Sequence, residues 1–272
     1  SEPSAGIDLA AVRTRAVKDG DQWVIKGQKV WTSGAQVADY GILLARTDPE
    51  LPKHQGLTFF LLDMRLPGIE VRPIKQISGH KEFNEVFFDD VVLDDTCRLG
   101  EINQGWSVAM HALTAERFKR LNTRMPSMQS VLQLAEGCTV EGVKAIDVDS
   151  VRQRLADNLA DKCALEHFMS RMLTQLSKGE ELGSEASILK LVSCQLNQDL
   201  SAYAMDLLEE SGTIVDPASH PLLAELYDAY LWTPGLRIAG GADEILLNII
   251  AERSLGLPGE PRSDKGKAFK DL

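Results

Sequence analysis

Gln22-Trp-Val-Ile-Lys-Gly-Gln-Lys-Val-Trp-Thr-Ser-Gly34 reads as two short strands that meet in a tight turn at Lys26-Gly27. The stretch closes on an aromatic, Trp31, followed at once by two hydroxyls, Thr32 and Ser33. A flat indole beside hydroxyl and backbone donors suits a planar, hydrogen-bonding ring such as a flavin. Trp beside Ser and Thr is also ordinary strand-end chemistry, so the surrounding chain has to decide.

Working outward, the first hundred residues carry β signals throughout. Val12–Val17 alternates and meets a turn at Lys18-Asp19-Gly20-Asp21; Tyr40–Ala45, Leu57–Asp63, Ile69–Lys75 and Glu85–Val92 follow, punctuated by Gly, Pro and Asp. Short strands at this spacing predict a compact antiparallel barrel or sandwich, with residues 47–56 as a polar loop. From Gly105 the spacing turns helical. Helices are expected over Trp106–Leu121, Met128–Ala135, Asp149–Ser177, Ser184–Glu210, Leu222–Trp232 and Gly241–Leu255. The fold class expected is α+β: an antiparallel β-barrel domain over 1–100, a four-helix-bundle type of helical domain over 101–258, and a polar tail over 259–272.

The whole chain has 272 residues, 44% of them hydrophobic and 25% charged, with a net charge of -11. That balance is typical of a globular protein and argues against non-specific nucleic-acid binding, which depends on neutralising phosphates. No apolar run is long enough to span a bilayer, and neither nucleic acid nor membrane is expected as a partner. Cys97, Cys138, Cys163 and Cys194 lack paired spacing and read as reduced, mostly buried thiols of a cytoplasmic protein. The five histidines show no ligand spacing, and no metal is expected. Asp89–Asp95, with four aspartates, reads as a solvated strand exit and turn. The chain opens on Ser1-Glu2-Pro3 without an initiator Met or a signal pattern. Either a longer protein has lost its start or the sequence is a fragment.

Four segments, in order, resemble the acyl-CoA dehydrogenase family. Ser1-Glu-Pro-Ser-Ala-Gly-Ile-Asp8 resembles its flavin-contacting Thr-Glu-Pro-Gly-Ala-Gly-Ser-Asp segment, and Gly27-Gln-Lys-Val-Trp-Thr-Ser33 its second flavin strand. Phe83-Asn-Glu-Val-Phe-Phe-Asp-Asp-Val91 resembles the strand leaving the β domain, and Gly241-Ala-Asp-Glu-Ile245 opens a helix similar to the family's Gly-Thr-x-Glu-Ile helix. The resemblance covers the family's central β domain and C-terminal helical bundle, and the leading helical domain that helps close the pocket is absent from the sequence.

The resemblance implies FAD as cofactor, an acyl-CoA thioester as substrate, an electron-transfer flavoprotein as electron acceptor, and assembly into homo- or hetero-oligomers. Ser1, Trp31, Thr32 and Ser33 are the implied cofactor-binding residues. Two positions for the catalytic base occur in the family. One falls on Gly240, which has no carboxylate; the other falls on Glu116, followed by Arg117 as the implied substrate-binding arginine. Outside that register, Glu116 would read as a solvated helix carboxylate. Three departures bear on function. Ile7 stands where a hydroxyl is usual, Cys138–Asp147 lacks the family's Arg-x-x-Phe-Gly segment, and Leu208–Ile214 replaces its Gln-x-x-Gly-Gly loop. The last two serve the adenosine half of a flavin shared between subunits, so the chain is expected to work beside a complementary partner. The alternative is a non-catalytic or degenerate subunit that stabilises a heteromeric enzyme; a flavin monooxygenase or oxidase on the same fold is a third reading without a specific residue behind it.

Overall fold

The structure is a computed structural model that describes residues 1–119, 126–180, 182–213 and 221–272, without the side chains of 114–119, 210 and 211. It divides into two compact units, Ser1–Ala115 with Glu260–Leu272, and Glu116–Gly259.

The first unit is built on seven strands: β1 (Arg15–Asp19), β2 (Gln22–Ser33), β3 (Tyr40–Arg46), β4 (Leu57–Asp63), β5 (Ile69–Ile74), β6 (Phe83–Asp94) and β7 (Arg98–Leu99). Their order is β5-β6-β2-β1-β3-β4-β7. Pairing is antiparallel except between β1 and β3, which run parallel and meet at Arg15↔Arg46. Alternation along the long strands turns Trp23, Ile25, Leu43, Phe60, Leu62, Val86, Phe88 and Leu93 into one core. Trp23 packs edge-on against Phe60 at 5.4 Å, and its indole N–H donates to Asp95 at 2.7 Å. Asp94 accepts from the Thr96 N–H as a cap, and Lys26 pairs with Asp89 and Asp90 at 3.0 and 3.5 Å, so all four aspartates at the strand exit have partners.

The expected barrel does not close: β5 and β7 are the free ends of an open sheet. The chemistry of those ends explains it. Pro73 in β5 has no N–H to donate, and the same edge carries the Glu70–Arg72 ion pair at 2.7 Å, a charged edge that discourages further pairing. At the other end β7 has two residues.

The second difference concerns the opening stretch itself. Gln22–Ser33 is one strand, with a register break between Ile25 and Gly27 where a turn was expected. Gly27 has φ +154, and a Cβ there would lie 2.5 Å from Thr14 Oγ1 and 2.7 Å from Thr14 Cα. The glycine therefore permits a close backbone approach inside a bulged strand. Gly27→Ala should destabilise the protein by about 1–3 kcal/mol, because the obstructing Cα cannot rotate away. A drop in the thermal midpoint measures this, and an unchanged midpoint would show that the strand can shift.

The C-terminal residues, read from sequence as a polar tail, fold into the β unit. Phe269 is buried and its N–H donates to the Leu51 carbonyl at 3.0 Å. The β unit also contains most of helix α1 (Gly105–Lys119).

The second unit contains α2 (Met128–Gly137), the hairpin β8 (Thr139–Val140) and β9 (Val143–Lys144), α3 (Asp149–Ser177), α4 (Glu185–Asp206), α5 (Pro221–Leu236) and α6 (Asp243–Arg253). Ser127 caps α2 by accepting from the Ser130 N–H. The hairpin, absent from the sequence reading, turns at Glu141-Gly142 with φ 51 and 83, the two positive values that a tight two-residue hairpin turn demands. Helix α4 lies at the centre, against α3, α5 and α6. Val131, Leu134, Val151, Leu155, Leu200, Ala204 and Leu226 form the unit's main core.

Candidate functional site

The end of β2 brings the four candidate cofactor-binding residues into one corner. The Val30 N–H donates to the Ser1 carbonyl at 2.9 Å, which sets Ser1 beside the residue that precedes Trp31. Thr32 and Ser33 follow, paired with Asn84 and Phe83 of β6. Asn84 is fully buried, and its amide donates to the Thr32 carbonyl at 2.9 Å and to Gln36 at 2.6 Å.

Between the pairs Lys29↔Val86 and Thr32↔Asn84, β2 holds one residue more than β6, so a bulge falls on Trp31. Trp31 has φ 61 and is 56% exposed, its ring edge-on to Phe83 at 6.0 Å. A bulky residue in the left-handed region is a true backbone outlier, and such strain persists where the surroundings impose it, often at functional sites. At this position Trp31→Gly should be more stable than Trp31→Ala by about 1 kcal/mol, because glycine adopts the left-handed conformation without a Cβ penalty. Ordinary strand positions show the opposite order, and denaturant unfolding of the two variants distinguishes them.

A buried ion pair anchors the corner. Glu2 and Lys29 approach to 2.7 Å, with side chains 4% and 11% exposed. Glu2 also accepts from the Arg13 N–H at 2.6 Å and the Thr14 N–H at 2.9 Å. Burial alone would raise the Glu2 carboxyl, but the Lys29 charge and hydrogen bond, with Arg13 and Thr14, hold it below its ordinary value. Sequence reasoning missed this pair. Its one signal was a lysine amid the apolar residues of a strand and a glutamate two residues from the chain start, which strand pattern does not connect. Ile7 is exposed.

Glu116 and Arg117 fall on α1 (Gly105–Lys119), at the division between the two units, and their side chains lie outside the described residues. At the other family base position Gly240 has φ +68, and open space surrounds the place of a Cβ. The loop there is fixed by buried charge. Lys190 donates to the Gly241 carbonyl at 2.7 Å, and Asp243 pairs with Arg237 at 2.6 Å. The Cys138–Asp147 stretch forms the β8–β9 hairpin, while Glu209–Thr213, within the other departing segment, is a short 3-10 helix. Of the four cysteines, Cys194 is buried, Cys97 and Cys138 half-buried and Cys163 exposed.

The β unit and the helical unit each have counterparts in a known family. Residues 1–91 match the acyl-CoA dehydrogenase middle domain, and residues 103–255 the acyl-CoA dehydrogenase C-terminal domain. The chain belongs to the acyl-CoA dehydrogenase family. It is 38% identical over 264 residues, 95% of its length, to the acyl-CoA dehydrogenase FadE34 of Mycobacterium tuberculosis. It is also 38% identical over 263 residues, 96% of its length, to the acyl-CoA dehydrogenase IpdE1 of the same organism. The chain spans 34% of the first relative and 66% of the second. Among solved structures, the ChsE4-ChsE5 complex from Mycobacterium tuberculosis superposes with a TM-score of 0.80 at 29% identity, covering 96% of this chain and 68% of that one. The Tcur3481-Tcur3483 steroid ACAD gives 0.82 at 29% identity, covering 96% and 67%. No described helix is long and apolar enough to cross a membrane.

Proposed function

We propose that the chain is a subunit of an FAD-dependent acyl-CoA dehydrogenase that introduces an α,β double bond into an acyl-CoA thioester. The observation that carries the flavin reading is the Trp31 bulge, where a strained, exposed indole is followed in the chain by Thr32 and Ser33 and preceded by Val30, which is hydrogen-bonded to the backbone of Ser1. That donor set fits a flat, hydrogen-bonding ring: the indole offers a face and the hydroxyls offer donors, and no carboxylate among Ser1, Trp31, Thr32 and Ser33 would repel it. Ser1, Trp31, Thr32 and Ser33 are the residues that would hold the isoalloxazine. When bound, FAD supplies the acceptor for the hydride that leaves the β carbon. Glu116 takes the α proton onto its carboxylate, and the C–H pair left behind becomes the new double bond. General-base catalysis of this kind needs a carboxylate near hydrogen-bond reach of the α carbon. Arg117 holds the thioester substrate through its fixed charge and paired donors.

A heteromeric setting is the second part of the proposal. The chain lacks the Arg-x-x-Phe-Gly and Gln-x-x-Gly-Gly segments that serve the adenosine end of a shared flavin, and two of its structural relatives are a complex of two named chains and a steroid ACAD named for two. Steroid side-chain thioesters are therefore a reasonable substrate class, with an electron-transfer flavoprotein as the final acceptor. The competing reading, a non-catalytic stabilising subunit, draws on Gly240, Ile7 and the same lost segments.

The visible spectrum tests the cofactor half of this reading. The protein should purify yellow, alone or when co-expressed with a complementary acyl-CoA dehydrogenase subunit. Colourless protein under both conditions would overturn it.

A further inference from the structure

We propose that the C-terminal segment Glu260–Leu272 is a strap that sets the position of the N-terminal, flavin-contacting segment, with Phe269 as its positioning residue. The inference rests on the flavin reading for the role of that segment, but the strap itself stands on contacts within the β unit. The Phe269 and Lys270 N–H groups donate to the Leu51 and Pro49 carbonyls, each at 3.0 Å, and Ala268 bridges to Pro52. These bonds add a short backbone ladder to the β3–β4 loop, so the segment is built in rather than laid on. Phe269 is 7% exposed, beneath the Arg46 guanidinium at 3.8 Å and near that of Arg13 at 5.4 Å.

Arg46 is the link to the functional corner. Its Nη2 donates to the Ala10 carbonyl at 2.6 Å and its Nη1 to the Lys53 carbonyl at 2.7 Å, while its own N–H donates to the Thr14 carbonyl at 2.7 Å. The Phe269 ring covers the flat face of this buried guanidinium and adds a cation–π contact to the hydrogen bonds that orient it. A second link is ionic. Lys53 lies 2.6 Å from both Asp8 and Asp264, so one ammonium ties the end of the flavin-contacting segment to the strap. From Thr14 the path continues through Glu2 to Lys29 and through Ser1 to Val30, the residue before Trp31. Every step is a hydrogen bond, ion pair, stacked contact or peptide bond, and two separate contacts of the strap enter it.

A segment that merely completed a hydrophobic core would tolerate Phe269→Leu with only a loss of stability. A positioning strap would not. Phe269→Leu keeps an apolar side chain but removes the ring beneath Arg46, whereas Phe269→Tyr retains the ring. The experiment compares these variants and a chain ending at Gly259 with the parent protein, co-expressed with its partner if that is needed for flavin. It reads backbone amide exchange at Val12, Arg13 and Thr14, together with FAD affinity by flavin fluorescence. Phe269→Leu should lose amide protection at these residues and weaken FAD binding about tenfold, and Phe269→Tyr should restore both. Unchanged protection and FAD affinity within twofold in Phe269→Leu would overturn the proposal, as would failure of Phe269→Tyr to restore them. If the parent protein binds no FAD, the flavin reading has failed, and the exchange data alone decide the strap: retained protection in Phe269→Leu refutes it and lost protection supports it. Should the shortened chain fail to fold, the two point variants carry the test.

Discussion

Replacing Glu116 by glutamine is expected to abolish substrate-driven reduction of the flavin while leaving the flavin bound. Glutamine has the size of glutamate and keeps a hydrogen-bonding head, but it cannot accept the α proton. General-base catalysis contributes on the order of 10²- to 10⁴-fold, so the reductive rate should fall by at least about 10². The prediction is sharp because the second base position of the family is Gly240, which has no side chain to take over. Rapid-mixing absorbance after addition of acyl-CoA measures the rate, and the flavin spectrum before mixing confirms occupancy. A Glu116→Gln protein that reduces at the parent rate would remove Glu116 as the base. Loss of flavin together with activity would point to a structural role.

The second large effect is expected at Lys29. Lys29→Met removes one member of the buried Glu2–Lys29 pair and leaves the Glu2 carboxylate, at 4% side-chain exposure, without its counterion. Breaking a buried pair from one side costs about 3–5 kcal/mol, because the remaining charge stays desolvated. Changing both partners, Glu2→Gln with Lys29→Met, should cost less than Lys29→Met alone, since no bare charge is then buried. The sign of the pH dependence follows from the depressed Glu2 carboxyl. A group whose folded value lies below its unfolded value stabilises the fold fully above the ordinary glutamate value of about 4.3. That contribution is lost as pH falls through the depressed folded value. Acidification should therefore destabilise the parent protein more steeply than the double variant. Denaturant midpoints across pH measure it, and parallel profiles would show that the pair does not couple to folding. The same loss should loosen Ser1 from Val30, so Lys29→Met is expected to weaken flavin binding as well.

Much of the fold was legible because long elements with a consistent period leave little choice. Leu57–Asp63 and Asp149–Ser177 have the same bounds in the structure as in the sequence reading, since a short apolar run in one and amphipathic spacing in the other lie between clear stops. What stayed hidden depends on contacts distant in sequence. Gly27 read as a turn because glycine usually marks one; that it answers to Thr14, thirteen residues earlier, is a fact of sheet pairing. Openness of the sheet depends on what β5 and β7 fail to pair with, which strand pattern cannot express. The tail looked solvated because Phe269 is a lone aromatic among polar residues, and its burial follows from the two arginines it meets.

The candidate site divides in the same way. Trp31, Thr32 and Ser33 were visible as residue types, and the link from Ser1 to Val30 joins them to the chain start. The left-handed backbone at Trp31 and the Glu2–Lys29 anchor were not visible, because strain and ion pairing are properties of the folded sheet. The roles of Glu116 and Arg117 rest on the family resemblance.

The most direct measurement is anaerobic titration of the flavin-loaded protein, with its partner subunit where required, by an acyl-CoA thioester of a steroid side chain. The account predicts that the flavin's visible absorbance bleaches in proportion to added thioester and that the α,β-unsaturated thioester accumulates one for one. Flavin that stays oxidised in the presence of bound thioester would contradict it and leave a subunit that supports catalysis without performing it.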